Sequence, residues 1–343
     1  RSALGQVSHG LTVMTRMLPE YAATTSLSAA AADSGGHLPE ADREEQLATR
    51  AAWLYFIGNS TQAQIAKKLG LTRLRVNRLL AQAREQGLVQ IQVTGRLSSC
   101  VALEQALAER YGLKDAVVVP SPADAAHIRP VIAAAAGHYL SQHLHDNMSV
   151  GVGWGRTLRL SLASVVRKSY RRLSVVSLIG GLTQSSAVNP HETASHLADI
   201  IGGQCYYFAG PAFTDSAESR DMLMNQPMLR DVFERGRTVD LAFLSVGDLA
   251  HANTMTALSL ITDAEAKSLQ AAGAVGDVCS HWINMAGDVI DHPLNGRAVG
   301  LPPVHLKGVK DSILASGGRA KVGVMHGALV AGYANRLLTD EAT

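Results

Sequence analysis

Residues 61–86, TQAQIAKKLGLTRLRVNRLLAQAREQ, decide how the first part of this 343-residue chain folds. Over 61–69 the spacing sets Ile65, Ala66 and Leu69 on one side of a short helix. Gly70 permits a tight turn, and Thr72 can cap a further helix over 73–86 with Val76, Leu79 and Leu80 inward. Arg73, Arg75, Asn77 and Arg78 share the remaining surface of that helix. Two short helices about a glycine turn, the second basic and polar on its outer side, make a helix-turn-helix pattern. Upstream, residues 44–59 (EEQLATRAAWLYFIGN) space Leu47, Ala51, Leu54, Tyr55 and Gly58 as the apolar face of a first helix. Downstream, residues 88–93 alternate apolar and polar, which predicts a strand and a small wing.

The residue types suit a duplex. Arginine can bond guanine O6 and N7 in bidentate fashion, and asparagine can do the same for adenine N6 and N7. Thr61, Gln62, Lys67, Lys68 and Thr72 stand where phosphates would be held, which fixes register without reading sequence. Between Gln46 and Arg84 there are seven basic residues and no acidic one. That stretch is +7 in a chain of net charge +2, so the remainder carries −5. The competing reading is a solvated basic helix in an ordinary three-helix unit. The turn glycine, the two caps and the absence of acid across 39 residues favour DNA.

The chain is too long for one ordinary core, and its abundant alanine and glycine with few aromatics suit helix-on-sheet packing. Cys100, Cys205 and Cys279 are odd in number and widely separated, which argues against a disulfide framework or a zinc site and for a reducing, cytoplasmic setting. No apolar run reaches the ~18 residues of a membrane span. Residues 1–40, rich in Ala, Ser and Thr without periodicity, read as a disordered leader or an expression remnant. The helix-turn-helix domain then covers 41–95, and a connector helix or dimer seam covers 96–112.

From 113 to 343 short apolar runs alternate with longer helical stretches. Strands are expected at 116–120, 148–153, 173–179, 205–209, 241–246, 312–315 and 336–339. Helices are expected at 125–144, 157–167, 191–201, 222–235, 263–271 and 319–333. The alternation implies an α/β domain with a mostly parallel sheet covered on both faces. Ligands in such sheets sit beyond the carboxyl ends of the strands.

At those ends the glycines gather. Gly153-Trp154-Gly155-Arg156-Thr157 is a strand-to-helix turn in which glycine lets backbone approach an anion and Arg156 and Thr157 add a charge and a hydroxyl. Steric need alone would also explain the glycines. Gly180, Gly181 and Thr183 follow the next strand, and Gly247-Asp248 follows the run 241–246. Asp277, placed before a helix-like stretch, is either an acceptor for sugar hydroxyls or a helix cap. Lys321 and Arg319 serve either to neutralise a phosphate or as solvated surface. His191, Glu192 and His196 lie close in sequence, yet a metal site would need a further ligand, and no metal or other cofactor is expected. No nucleophile elbow, Walker-type motif or full dinucleotide fingerprint occurs.

These residues resemble the SorC family of sugar-responsive bacterial regulators from about Glu44 onward. The resemblance rests on AAWLYFIGNSTQAQIAKKLGLTRLRVNRLLAQAREQGLVQIQV, SVGVGWGRTL, SLIGG, GAVGDV, ASGGRAKVGVMHGAL and LLTDEAT, found in that order. It implies a winged-helix-like DNA-binding domain and a second domain similar to the ribose-5-phosphate isomerase and glucosamine-6-phosphate deaminase fold, used for sensing. It also implies a phosphorylated sugar or polyol effector, operator DNA as partner, and a dimer or tetramer. Carried over by position, the pocket comprises Gly153, Trp154, Gly155, Arg156, Thr157, Gly180, Gly181, Thr183, Asp277 and Lys321. An isomerase- or deaminase-like enzyme with an accessory DNA module is the alternative.

Overall fold

The computed structural model describes residues 12–14, 40–92, 98–183, 189–250 and 254–343, which fall into two compact units, Arg1–Arg96 and Leu97–Thr343. Of the leader expected over 1–40, only residues 12–14 and 40 are described, and the strand end expected at Val93 lies outside the described residues.

The first unit comprises β1 (Thr12–Met14), α1 (Glu40–Ala52), α2 (Gln62–Leu69), α3 (Arg73–Glu85) and β2 (Gln90–Gln92). Strand β2 pairs antiparallel with β1. Ala48, Ala51, Leu54, Ile65, Val76, Leu79, Leu80 and Ala83 form the core. After Ala52 the helix widens into a π-type turn over Trp53–Ile57. A wider turn shifts the 3.6-residue register, so Leu54 stays buried while Tyr55 and Gly58, expected inward, face solvent. Thr61 and Gln64 form a reciprocal capping box on α2, and Gly70, at φ +67°, closes its far end on the Ala66 carbonyl. The Thr72 hydroxyl accepts the Arg75 N–H at 3.2 Å and starts α3.

The second unit begins with α4 (Ser98–Tyr111), which packs on β3 (Asp115–Val119), where the Val118 N–H donates to Glu104 Oε1 at 3.1 Å. Next come α5 (Ile128–His143), β4 (Ser149–Val152), α6 (Arg156–Ser161), β5 (Ser174–Ser177), α7 (Pro190–Ile201) and β6 (Gln204–Tyr206). The helix expected over 222–235 is two helices, α8 (Ala217–Met224) and α9 (Pro227–Arg237), because Pro227 cannot continue a helix but suits its first position. There follow β7 (Leu241–Leu244), β8 (Val246–Asp248), α10 (Thr254–Ala257), α11 (Asp263–Ala271), β9 (Gly276–Val278), β10 (His281–Ile283) and α12 (Pro293–Arg297). The chain closes with β11 (Asp311–Ala315), α13 (Val322–Val330) and β12 (Arg336–Asp340).

Seven strands form one parallel sheet in the order β3-β12-β11-β7-β4-β5-β6, and each overlaps one of the seven expected runs. Leu241 and Phe243 enter one apolar cluster while Ala242 and Leu244 enter another, so both faces are covered. That is why the strands read as continuous apolar runs. From β4 the chain proceeds outward to β5 and β6; from β7 it proceeds the other way to β11 and β12. The seam between β4 and β7 is therefore the switch point at which such sheets open a crevice.

One sheet was not expected. Strands β10-β9-β8 pair antiparallel, with Gly247 opposite Asp277 and Val278 opposite His281. Asp277 thus sits on a strand and neither precedes nor caps a helix. The two-residue hairpin loop, Cys279 (φ +49°) and Ser280 (φ +63°), has the left-handed backbone of a type I′ turn without the usual Asn-Gly, which hides it from sequence inspection.

Candidate DNA-reading helix and ligand crevice

On α3 the apolar residues Val76, Leu79 and Leu80 are buried, which forces Arg73, Arg75, Asn77 and Arg78 outward, and all four are exposed. Their states differ. Arg75 Nη2 donates to Glu44 Oε2 at 2.6 Å, and Asn77 Oδ1 accepts from Gln62 Nε2 at 2.8 Å. Arg73 and Arg78 have no ion-pair partner among the described residues, and neither have the exposed Lys67 and Lys68. Thr61 and Thr72 are spent as helix caps. Leu74, passed over in the sequence, is 63% exposed, one turn from Arg78. The surface can therefore offer two free arginines, an apolar side chain and an Asn-Gln pair to a partner, with two lysines behind them.

In the second unit, three separate segments converge beyond β4, β7 and β11. The first is the Gly153–Thr157 turn. Gly155, at φ +127°, makes the sharp exit that Trp154, buried, and Thr157, buried, flank; Arg156 is exposed. The second is the run Ser245–Asp248, which carries the chain from β7 into β8. A Cβ on Gly247 would lie 2.1 Å from Asp277 Oδ1, so only glycine leaves room for that carboxyl. The third leads through Gly317 and Gly318 to Lys321, whose Nζ donates to the Val246 carbonyl at 2.7 Å.

Asp277 is the buried centre of this arrangement, 2% exposed. Burial pushes its pKa up to about 6. The Ser280 N–H, bonded to Oδ2 at 3.1 Å, works against that rise, as do Lys321 and the Trp154 indole, while Asp248 adds to it. Oδ1 has no hydrogen-bond partner among the described residues. Burial lowers the Lys321 pKa; Asp248 and Asp277 oppose that, whereas Arg129 and Arg156 reinforce it. Arg129, in the first turn of α5, was not singled out in the sequence because nothing local marks it.

The second group of expected residues, Gly180, Gly181 and Thr183, follows β5, the neighbour of β4 in the sheet. The Gly180 N–H donates to the Val299 carbonyl and the Gly181 N–H to the Gly210 carbonyl, each within 2.9 Å. A Cβ on Gly181 would strike the His191 ring, which lies 4.6 Å from Tyr207 between centroids. These two amides, like that of Gly153, which donates to Phe243 O, are engaged inside the fold. Thr183 is exposed. No hydrogen bond among the described residues joins Gly180, Gly181 or Thr183 to Asp277 or Lys321. His191 faces Gly181 and Tyr207, while His196 Nδ1 meets Arg159, so the histidines read together in the sequence diverge. Among the described residues no three His, Cys, Asp or Glu side chains cluster as a metal ion would need, and no helix is long and apolar enough to cross a membrane.

Residues 95–343 match the family model "Putative sugar-binding domain". The chain is 34% identical over 306 residues to the deoxyribonucleoside regulator of Bacillus subtilis, covering 88% of this chain and 97% of that protein. It is 30% identical over 305 residues to the erythritol catabolism regulatory protein EryD of Brucella abortus, covering 88% and 96%. The crystal structure of the full-length sorbitol operon regulator SorC from Klebsiella pneumoniae superposes with a TM-score of 0.67 at 26% identity, over 86% of this chain and 96% of that one. The parallel α/β sheet and the helix-turn-helix before it accord with these likenesses: the chain belongs to the SorC family of sugar-binding transcriptional regulators.

Proposed function

We propose that α3 enters the major groove of an operator and that a small phosphorylated sugar or polyol, bound at the β4–β7 seam, controls that binding. The observation that carries the reading is the combination of two arginines on α3 without ion-pair partners among the described residues and a buried carboxyl, Asp277, packed against the Val246-Gly247 segment that Lys321 also reaches. Arg73 and Arg78 read bases, Leu74 meets a thymine methyl group, and Lys67 and Lys68 hold phosphates. The Asp277 carboxyl accepts a sugar hydroxyl, with Trp154 as the apolar wall. Residues 41–95 act as the DNA-binding domain and 113–343 as the effector domain, joined through 96–112. The regulator works in the cytoplasm as a dimer or tetramer, because a two-fold operator needs two reading helices. The names of the relatives, which refer to erythritol, deoxyribonucleosides and sorbitol, support a sugar or polyol as the controlling ligand.

The test is a gel shift on the promoter beside its own gene, titrated with sugar and polyol phosphates. The expected outcome is sequence-selective binding whose affinity changes about 5- to 150-fold with effector. Binding without sequence preference at moderate salt rejects the reading.

The second reading, turnover of a phosphosugar, draws on one observation: a carboxyl with a pKa of about 6 beside a lysine resembles an acid–base pair. We favour sensing without catalysis and without a cofactor. Steady product release that Asp277→Asn abolishes would reverse that preference.

A further inference from the structure

We infer that Asp340, the last residue of β12, and Thr343 just beyond it are positioning residues for the effector crevice. A chain of hydrogen bonds from the buried Asp340 carboxyl fixes the loop that carries Lys321. The inference rests on the effector reading above, and it gives a role to LLTDEAT, a motif that the proposed contacts leave unused.

Asp340 is 1% exposed and forms no ion pair among the described residues. Hydroxyls meet its oxygens instead: Ser121 Oγ donates to Oδ2 at 2.6 Å, and Thr343 Oγ1 donates to Oδ1. A carboxylate can only accept, so the Thr343 hydrogen points at it and the Thr343 oxygen keeps its lone pairs for another donor. That donor is the Gly318 N–H, 2.8 Å away. A hydroxyl polarised by a carboxylate is the better acceptor, so the two bonds strengthen each other. The segment 341–343 is itself pinned. The Glu341 N–H donates to the Val119 carbonyl and the Ala342 N–H to Ser121 Oγ, each at 2.8 Å.

The loop is shaped to receive these bonds. A Cβ on Gly317 would lie 2.5 Å from Asp340 Oδ1, so only glycine lets the backbone pass the carboxyl. Gly318, at φ +103°, turns the chain, and its carbonyl accepts the Lys321 N–H at 2.9 Å. Gly318 is thus tied through its N–H to Thr343 and through its carbonyl to Lys321. Lys321 Nζ in turn reaches the Val246 carbonyl at 2.7 Å, next to Gly247, which faces Asp277 across the antiparallel sheet. Burying a carboxyl without a cation costs stability, and an apolar residue would serve folding at least as well. What the carboxyl contributes is a fixed direction for the Thr343 hydroxyl, and through it one setting of the Lys321 loop.

The test compares Thr343→Val, which keeps the shape and loses the hydroxyl, with Thr343→Ser, which keeps the hydroxyl, in the full chain. Amide hydrogen exchange of the 316–322 peptide is expected to quicken in Thr343→Val and to match wild type in Thr343→Ser. Calorimetry with inorganic phosphate, erythritol phosphate and sorbitol phosphate as probes should show binding about 2- to 10-fold weaker in Thr343→Val, the worth of one hydrogen bond. In a Lys321→Met background Thr343→Val should weaken binding no further, because it acts through that side chain. Unchanged exchange, or the same loss with and without Lys321, overturns the inference and leaves the effector reading intact. Wild-type affinity in Lys321→Met overturns the reading of Lys321 and the inference with it. A wild-type chain that binds none of the three probes removes the phosphorylated-effector reading, and the exchange measurement still decides whether Thr343 holds the loop.

Discussion

The two units carry their functions in opposite ways. In the first, the side chains proposed to read DNA lie on one continuous helix, and burial of Val76, Leu79 and Leu80 turns the arginines outward. In the second, the proposed ligand site draws on separate segments, the Gly153–Thr157 turn, the Ser245–Asp248 run with Asp277, and the loop that carries Lys321, and none of them holds a site by itself. The difference teaches that a surface read by a partner can be local, whereas a pocket that surrounds a small molecule cannot. One needs a helix; the other needs a sheet with a switch point. Damage should accordingly separate, with changes on α3 touching DNA and changes at the seam touching stability and effector response.

The largest expected effect tests the local half. Replacing Arg73 and Arg78 together with alanine should reduce operator affinity about 100-fold or more, since each good base contact is worth about 1–3 kcal/mol. Effector binding to the double variant, measured by thermal shift, should stay as in wild type. An unchanged gel shift would sink the assignment of α3.

The non-local half is tested next by pH. Asp277 has an ordinary value of 3.8 and a folded value of about 6, so the native state binds the extra proton between these values. Its contribution to stability therefore falls as pH rises from about 4 to 6, and the penalty is complete above 6. His281 does the reverse: burial lowers its pKa from 6.5 to about 4, so its contribution rises with pH across about 4 to 6.5. The two slopes oppose each other on one hairpin. Asp277→Asn should add about 3 kcal/mol at pH 7.5 in the unliganded protein and leave a stability that climbs with pH. Urea unfolding at pH 5 and pH 7.5 reads both, and a variant no more stable than wild type at pH 7.5 would contradict the buried-charge account. The gain should come with a lost effector response and unaltered operator affinity. A weakened gel shift without effector would break the separation between the units.

Gly247→Ala should follow, at about 1–3 kcal/mol of destabilisation, because the new methyl group meets the Asp277 carboxyl. It should blunt the response to effector more than it lowers the melting temperature of the unliganded protein would suggest. Equal effector affinity in wild type and variant would show that the carboxyl is not held where the ligand needs it. Thr72→Ala removes the cap of α3 and should cost about 1 kcal/mol, with a loss of DNA affinity that is the same for all sequences. The smallest effect is expected from Arg75→Ala, since an exposed ion pair with Glu44 contributes at most about 1 kcal/mol. A loss as large as that of Arg78→Ala would mean that the pair opens on the duplex.

Much of the fold is legible in the sequence. All seven strands of the parallel sheet showed as apolar runs, because both of its faces are covered. Trp154, Arg156, Asp277 and Lys321 were named from glycine turns and resemblance. The antiparallel sheet was not seen, since three-residue strands joined by Cys279-Ser280 leave neither an alternation to count nor a turn signature. Tyr55 was assigned inward because a helical period assumes a constant turn, and the widened turn over Trp53–Ile57 breaks it.

By itself the sequence determined the helix-turn-helix, the seven strands of the parallel sheet, and the sign of the charge on α3, because each depends on neighbours within a few residues. Only the tertiary structure decided that Lys321 Nζ reaches the Val246 carbonyl, that Gly247 makes room for Asp277, and that the Gly180 and Gly181 amides donate to Val299 and Gly210. Those relations are made by packing between segments 29 to 119 residues apart. Electrostatic attraction, repulsion and burial act through space, and the spacing of residues along the chain does not record it.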